Sequence, residues 1–254
     1  MKIVVLIKQV PDTAEERRLE PDTGRLDRDA NEPVIDEITE RALELALTVK
    51  DQDKSTEVVV LTMGPSEAAK AIRKALSMGA DSGIHVLDDS LAGADLTVTA
   101  AALAAALRGT DADLVIAGNE STDGRAGIIP AMVAEHLGLP LLGSLLSADV
   151  THGVVSGERQ TEAGTQRVRA AFPAMLTVTE RFDEARFPNF KGIMGAKRKP
   201  VATLSASELG VGSPPRSRVL DLAERPARAA GRKIVDEGAA AEELVDFLTA
   251  QRLI

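Results

Sequence analysis

The chain has 254 residues, of which 44% are hydrophobic, and a formal net charge of −9. This hydrophobic fraction is large enough to build a sizeable core, and the acidic balance disfavours nucleic acid as a partner. The absence of cysteine excludes disulfides, thiolate metal ligands and cysteine nucleophiles. No stretch has the roughly 20 apolar residues of a membrane span. The first apolar run, residues 3–7, is too short for a signal sequence, so we expect a soluble cytoplasmic protein.

The first half of the chain alternates predicted strands with predicted helices. Short, mostly β-branched apolar runs predict buried strands, and these lie at residues 2–8, 57–63, 83–87 and 113–117. Apolar residues at helical spacing predict the intervening helices, which lie at residues 36–50, from 64–67 onward, at 94–108 and from 128 to about 138. Such alternation implies βαβ units and therefore a mostly parallel, Rossmann-like α/β sheet with helices on both faces.

Beyond Pro140 the pattern changes to strands separated by turns. Antiparallel strands are predicted at residues 145–150, 154–159 and 166–179, with turns at His152-Gly153 and Ala163-Gly164. Residues 181–200 are predicted to be irregular with a basic end, and a short strand follows at 201–204. Residues 210–238 are rich in Pro, Gly, Arg and Ser, which predicts an extended arm. A last helix is predicted at about 239–250.

The glycine-rich loop (residues 118–127, GNESTDGRAG) is the first candidate site. In open α/β sheets, ligands bind beyond the carboxyl ends of the strands. Gly118, Gly124 and Gly127 let a backbone approach a ligand closely, and free N–H groups at the start of the next helix suit a phosphate. Its polar side chains include those of Asn119, Ser121, Thr122 and Arg125. The spacing matches neither a P-loop nor a dinucleotide fingerprint, so these residues alone fit a nucleotide site and an ordinary loop equally well.

A second candidate is an apolar cluster in the segment 181–200. Its large side chains are Phe187, Phe190, Ile193 and Met194, and a basic run follows at 197–199. Apolar groups with a charged rim mark an interaction surface, but they also form small local cores, and both interpretations stay open. The arm at 210–238 either wraps round a partner or is a linker, and its composition favours the linker.

Catalytic constellations are sparse in this sequence. His85, His136 and His152 share no metal-ligand spacing, and the motifs of hydrolases, zinc proteases and P-loop enzymes are absent. We therefore expect no catalytic residues and no metal.

Five segments, in order, resemble the electron-transfer flavoprotein β family: MKIVVLIKQVPD, VIDEITERALELAL, VLTMGPSEAAKAIRKALSMGAD, AGNESTDGRAG and FPNFKGIMGAKRKP. The resemblance runs from residue 1 to the C-terminal helix. It implies an electron carrier rather than an enzyme, with an adenine nucleotide α-hydrolase-like fold, a protruding loop and a C-terminal arm. It also implies a heterodimer with an α subunit that holds most of the FAD, while the β subunit binds AMP structurally.

The same resemblance implies the partners of the heterodimer. Acyl-CoA dehydrogenases of fatty acid β-oxidation and other flavoprotein dehydrogenases would deliver electrons, and a membrane quinone oxidoreductase (ETF-quinone oxidoreductase) would accept them. The chain would divide into a nucleotide-binding domain (residues 1–209) and an arm and helix that contact the α subunit (residues 210–254).

Carried over by position, the AMP pocket draws on strand ends and on the glycine-rich loop. The implied residues are Leu6, Val34, Ile35, Asp36, Met63, Gly118, Asn119, Ser121, Thr122, Asp123, Gly124, Arg125, Gly127, Ile128 and Ile129. The family's recognition loop falls at about residues 182–196, with Phe190 at the apolar anchor position. Phe187, Ile193 and Met194 lie beside it in the sequence.

Two alternatives stay open at this point. Electron-bifurcating members carry a second FAD in place of AMP and have a DGDTAQVGP-like loop, whereas residues 123–130 here read DGRAGIIP, which favours AMP. In either case, many members have polar residues where this chain has Gly127, Ile128 and Ile129, so backbone N–H groups and Arg125 are the donors that remain to bind the phosphate. A stand-alone universal-stress-type nucleotide-binding protein is the other alternative, and the recognition loop and the arm argue against it.

Overall fold

The computed structural model describes residues 1–28, 30–151, 153–212, 216–217, 219–223, 225–228, 230–231 and 233–254. The chain forms two compact units, Met1–Leu220 and Asp221–Ile254. The predicted turn residue His152 and parts of the predicted arm lie outside the described residues. Within the described ranges, no helix is both long and apolar enough to cross a membrane.

The elements of the first unit closely follow the predicted order. They are β1 (Lys2–Leu6), β2 (Gln9–Pro11), β3 (Pro33–Ile35), α1 (Glu37–Gln52), β4 (Glu57–Met63), α2 (Ala69–Met78), β5 (Ser82–Val86), α3 (Leu96–Arg108), β6 (Leu114–Gly118), α4 (Ile129–Leu137), β7 (Leu141–Thr151), β8 (Val154–Thr161), β9 (Gly164–Ala171), β10 (Ala174–Val178), α5 (Phe190–Ala196) and β11 (Val201–Leu204). The second unit contains α6 (Ala240–Ala250).

One large sheet organises the first unit. Its strand order is β11-β5-β4-β1-β6-β10-β7-β8-β9, and β2 and β3 form a separate antiparallel pair. Neighbouring strands from β11 to β7 run parallel, whereas β8 and β9 are antiparallel to their neighbours. β1 is the middle one of the seven parallel strands, and its Ile3 is in register with Val58 of β4 and with Leu114 of β6. The predicted mostly parallel α/β fold with added antiparallel strands is confirmed.

Helices cover both faces of the sheet. Consecutive side chains of a strand point to opposite faces, so a wholly apolar strand has apolar side chains to bury on each face. Ile3 and Val5 of β1 belong to the core under α1 and α2, while Val4 and Leu6 belong to the core under α3 and α4. A strand that is buried on both faces has no polar side to show, which explains why KIVVL is nearly all apolar.

The predicted antiparallel strand at residues 166–179 is wrong in one respect, because the structure divides it into two strands. β9 pairs antiparallel with β8, whereas β10 lies between β6 and β7 and runs parallel to both. Pro173 separates the two strands, and proline has no N–H to continue a ladder. All five residues of β10 are buried, as expected for a parallel interior strand.

The predicted irregular segment 181–200 also differs from the structure. It contains α5, a short helix whose N-cap is Asn189. The Asn189 Oδ1 atom accepts a hydrogen bond from the amide N–H of Gly192 at 2.8 Å, the interaction that makes asparagine a preferred N-cap. Two glycines within seven residues conceal this helix from an analysis based on helix propensity.

Candidate functional site

The candidate nucleotide site lies at the carboxyl ends of β1, β4 and β6. Within the sheet, β4 and then β5 are added on one side of β1, and β6 is added next to β1 on the opposite side. The order of the strands therefore reverses between β1 and β6, and open α/β sheets bind ligands at such a switch point. The glycine-rich loop leaves β6 at this point, as predicted.

Asp36 joins this loop to the body of the sheet. Its Oδ1 atom accepts the amide N–H groups of Ile38 (3.0 Å) and Thr39 (3.2 Å), which caps α1. Its Oδ2 atom accepts the amide N–H (2.6 Å) and the hydroxyl (2.8 Å) of Thr122 in the loop. The Asp36 side chain is fully buried. Both carboxylate oxygens of this predicted pocket residue thus already accept hydrogen bonds from donors within the chain.

Asp123 forms the second fixed point of the loop. Its side chain is 3% exposed and lies 2.7 Å from Lys8 Nζ and 3.5 Å from Arg28 Nη2. Burial disfavours the ionised carboxylate, but the charge of Lys8 and hydrogen bonds from Lys8, Ser121 and Gly124 outweigh it, so the pKa of Asp123 lies below its ordinary value. Sequence reasoning missed Lys8 and Arg28, because a lone cation after a strand and another in an irregular segment carry no distinguishing pattern.

The second half of the loop, residues 124–128, is exposed to solvent. Gly127 has φ +63°, in the left-handed region, and Ile128 follows with φ −113° and ψ −23°. Consecutive residues of left- and right-handed conformation build the backbone nests that bind anions. Among the described residues, none accepts a hydrogen bond from the amide N–H groups of Gly127, Ile128 or Ile129. These groups lie at the start of α4, where free N–H groups favour an anion.

The three predicted glycines have different roles. A Cβ on Gly118 would lie 3.0 Å from Ile38 Cγ2 and 3.1 Å from the Glu120 carbonyl, so this glycine permits α1 to pack closely on the end of β6. Gly124 has ordinary space around it, with Ser121 Oγ at 3.6 Å. Only Gly127 requires a conformation that other residues rarely adopt.

The remaining predicted residues divide into buried and solvent-facing groups. Leu6 and Ile35 are buried, Val34 and Met63 are partly buried, and Arg125 and Ile128 are exposed. The Asn119 side chain places its Oδ1 atom out of contact with solvent, and that atom has no hydrogen-bond partner in the described chain. A buried oxygen without a donor is destabilising by itself, so this position suits the O–H or N–H group of a ligand.

The recognition loop presents an apolar tip to solvent. Phe187 is 93% exposed and Phe190 is 80% exposed, while Ile193 and Met194 are each about half exposed. The alternative of a small local core does not hold for these four side chains. Phe182, at the start of the loop, packs on the main core instead.

Hydrogen bonds and ion pairs join the base of the recognition loop to α1. The Arg186 guanidinium donates to both carboxylate oxygens of Glu44, from Nε at 2.9 Å and from Nη2 at 2.8 Å, and its Nη1 atom lies 2.8 Å from Asp51 Oδ2. Hydrogen bonds to Glu44 and then to Asp51 raise the pKa of Arg186 above its ordinary value. Arg41 also donates to the Phe182 carbonyl. Bidentate pairing of this kind fixes orientation as well as distance.

The other end of the loop is docked on α2. A Cβ on Gly192 would lie 2.2 Å from the Ser77 carbonyl oxygen, so α5 approaches α2 more closely than any other residue would allow. Arg73 Nη1 donates to the Ala196 carbonyl at 2.8 Å, and Lys199 Nζ donates to the Leu76 carbonyl at 2.9 Å. The recognition loop therefore has a fixed base and an exposed apolar tip.

Comparison with known proteins decides the family. Residues 23–209 match the electron transfer flavoprotein domain family, a span that includes both the glycine-rich loop and the recognition loop. The electron transfer flavoprotein subunit beta of Mycobacterium leprae is 48% identical, and the alignment covers 99% of each chain. The chain belongs to the electron transfer flavoprotein β-subunit family. The resemblance inferred from its motifs is thereby confirmed.

Other relatives of the chain are more distant. The electron transfer flavoprotein subunit beta of Syntrophomonas wolfei is 35% identical over 93% of this chain and 91% of its own. A protein named caffeyl-CoA reductase-Etf complex subunit CarD, from Acetobacterium woodii, is 32% identical over 83% of this chain and 80% of its own. Membership of the β-subunit family places the function of the chain in electron transfer and decides against the stand-alone universal-stress alternative.

Proposed function

We propose that this chain is the β subunit of a heterodimeric electron transfer flavoprotein, that it binds AMP structurally, and that it carries no catalytic residue. Its α partner would hold most of the FAD, which supplies the one-electron chemistry. The proposal rests mainly on the near-complete alignment with the β subunit of Mycobacterium leprae. The heterodimer would accept electrons from flavoprotein dehydrogenases and deliver them to a quinone oxidoreductase.

The residues at the strand ends fit a mononucleotide. The unpaired amide N–H groups of Gly127, Ile128 and Ile129 would hold the phosphate. The Asn119 Oδ1 atom would accept a donor from the ribose or the base, which would satisfy an otherwise orphaned buried oxygen. Leu6, Val34, Ile35 and Met63 would supply apolar contacts for the adenine, and Arg125 would add a positive charge to the phosphate site. AMP in this pocket would stabilise the fold and take no part in a reaction.

The recognition loop supports docking on other proteins. Its exposed tip, with Phe187 and Phe190 more than three-quarters exposed, is an apolar surface that an isolated domain rarely presents. Aromatic anchors of this kind supply much of the energy of an interface when they enter a pocket of the partner. The Acetobacterium relative is named as a subunit of a complex with caffeyl-CoA reductase. We infer that acyl-CoA dehydrogenases and related flavoproteins bind at this loop.

The C-terminal unit supports assembly with the α subunit. Leu244, Val245 and Phe247 of α6 are each about half exposed, and no residue of this helix is buried. An exposed apolar stripe on a helix gains stability when another chain covers it. We therefore propose that the arm and helix, residues 210–254, contact the α subunit.

Co-production with an electron transfer flavoprotein α subunit tests this proposal. We expect a one-to-one heterodimer that contains one FAD and one AMP and accepts electrons from a reduced acyl-CoA dehydrogenase. The same chain produced without the α subunit is the control, and it should carry no flavin. Two flavins and no AMP in each heterodimer would instead support the bifurcating alternative. Failure of the two chains to associate would contradict the proposal.

A further inference from the structure

We propose that Asp36 is a positioning residue that sets the geometry of the phosphate site without touching the nucleotide. It would do so by clamping the glycine-rich loop to the start of α1 through Thr122. This inference rests on the proposed binding of AMP and assigns to Asp36 a different task from that of a direct ligand contact.

The first step is the saturation of the carboxylate. Each of its two oxygens accepts two hydrogen bonds, Oδ1 from the first turn of α1 and Oδ2 from Thr122. An ionised carboxylate has about four acceptor positions, so none is left for a ligand. The negative charge is compensated by four donors and by its place at a helix N-terminus. Asp36 can therefore lie near a phosphate site without competing for its donors.

The second step is the place of Thr122 in the loop. Thr122 is 4% exposed, whereas residues 124–128 that follow it are exposed. Both hydrogen-bonding groups of Thr122, its amide and its hydroxyl, donate to Asp36. The loop is thus fixed to the body of the protein just before it turns outward to the free N–H groups of Gly127, Ile128 and Ile129. A shift of Thr122 would be transmitted to these groups along only five residues of chain.

The third step is the connection of Asp36 to the other wall of the site. The amide N–H of Asp36 donates to the Lys8 carbonyl at 2.9 Å, two residues beyond the end of β1. Asp36 also follows Val34 and Ile35, which we place against the adenine. One residue therefore couples the ends of β1 and β3, the start of α1 and the loop after β6. Coupled walls keep a pocket in one shape, which lowers the entropy that a ligand must remove on binding.

Four variants of the full chain, each co-produced with the α subunit, separate this task from general stability. Asp36→Ser keeps a side chain that caps α1 but is too short to reach Thr122. Asp36→Asn keeps a capping oxygen and turns an N–H₂ group toward the Thr122 amide. Thr122→Val removes the hydroxyl, and Thr122→Ser is the matched control that retains it. AMP is removed and its dissociation constant is measured by titration, together with hydrogen exchange of the loop and of α1.

We expect Asp36→Ser, Asp36→Asn and Thr122→Val each to raise the AMP dissociation constant about tenfold or more, as for loss of a hydrogen bond to a charged group. Thr122→Ser should stay within about twofold of the wild-type chain, because the bond is retained. Amide exchange should accelerate in residues 119–127 of Asp36→Ser while the amides of α1 keep their protection.

Two results would overturn the inference, and they differ from failure of the proposed function. AMP binding by Asp36→Ser at wild-type affinity would show that the clamp does not matter. Equal losses for Thr122→Ser and Thr122→Val would show that the hydrogen bond is not the cause, and this pair decides the case if the Asp36 variants do not fold. A wild-type heterodimer without affinity for AMP would refute the proposed nucleotide function itself, and the clamp with it.

Discussion

Gly192 offers the sharpest test of how the recognition loop is held. Replacing it with alanine would place a Cβ 2.2 Å from the Ser77 carbonyl oxygen and 3.3 Å from the Ser77 carbonyl carbon. Real Cβ atoms do not approach so closely, and the obstructing atom is backbone, so α5 must move away from α2 by roughly 1 Å. Overpacking of this kind costs about 1–3 kcal/mol. Gly195, in the same helix, has no atom within 4 Å of the corresponding position.

The two alanine variants should therefore behave in opposite ways. In Gly192→Ala, weaker docking of α5 by about 1–3 kcal/mol should accelerate hydrogen exchange in residues 190–199 by about 5- to 150-fold. Gly195→Ala should be neutral or slightly protective, since alanine favours a helix by up to about 1 kcal/mol. The measurement is hydrogen exchange on the assembled heterodimer, with electron uptake from a reduced acyl-CoA dehydrogenase as the functional assay. Uptake should fall only in Gly192→Ala, although none of the exposed apolar side chains has changed.

Wild-type exchange and uptake in Gly192→Ala would refute the reasoning, because the close approach of α5 to α2 would then not hold the loop. Equal defects in the two variants would refute it too, since they would implicate helix flexibility in place of the contact with Ser77.

Three further predictions follow from single residues. Phe190→Ala should weaken docking of client dehydrogenases by about 2 kcal/mol, seen as a KM for the client up to about 30-fold higher, and unchanged uptake kinetics would reject Phe190 as an anchor. Gly127→Val should lower AMP occupancy, because a β-branched residue is strained at φ +63°, whereas Gly124→Ala should keep it; full occupancy in both would contradict the loop assignment. Hydrogen bonds, chiefly from Thr97, lower the pKa of Asp95 from 3.8 to about 2, so its stabilisation is present above pH 4 and is lost as the pH falls toward 2. Thermal unfolding over this pH window should show that Asp95→Ser loses less stability than the wild-type chain does. An equal loss of stability in the two proteins would contradict the prediction.

Much of the fold was predictable from local pattern. β4 and β11 begin and end at the predicted residues, because polar, glycine or proline residues on either side stop each apolar strand. The division of residues 166–179 was not predictable, since the runs before and after Pro173 both favour strand, and only tertiary pairing decides that β10 enters the parallel part of the sheet. β-Propensity indicates that a segment fits a half-buried pleated surface, but it does not indicate which strand the segment will pair with.

The place of the glycine-rich loop in the fold was predictable, but the contacts of the loop were not. Strand ends and glycines located the loop, and the family resemblance supplied the roles. The bonds that fix the site join residues far apart in sequence, such as Asp36 with Thr122 and Glu44 with Arg186. Contacts between residues so far apart leave no periodic pattern in the sequence from which they could be predicted. Exposure of Phe187 and Phe190 was equally undecidable, because an aromatic residue in a loop is apolar whether it is covered or not.

Hydrogen exchange of the purified heterodimer, before and after removal of its nucleotide, tests most directly whether the ends of β1, β4 and β6 hold AMP. Removal should accelerate exchange of the amides of residues 126–129 and leave that of the recognition loop, at about residues 182–196, unchanged. Exchange that is the same in both states at residues 126–129, or an adenine nucleotide that is absent from the complex from the start, would contradict the account.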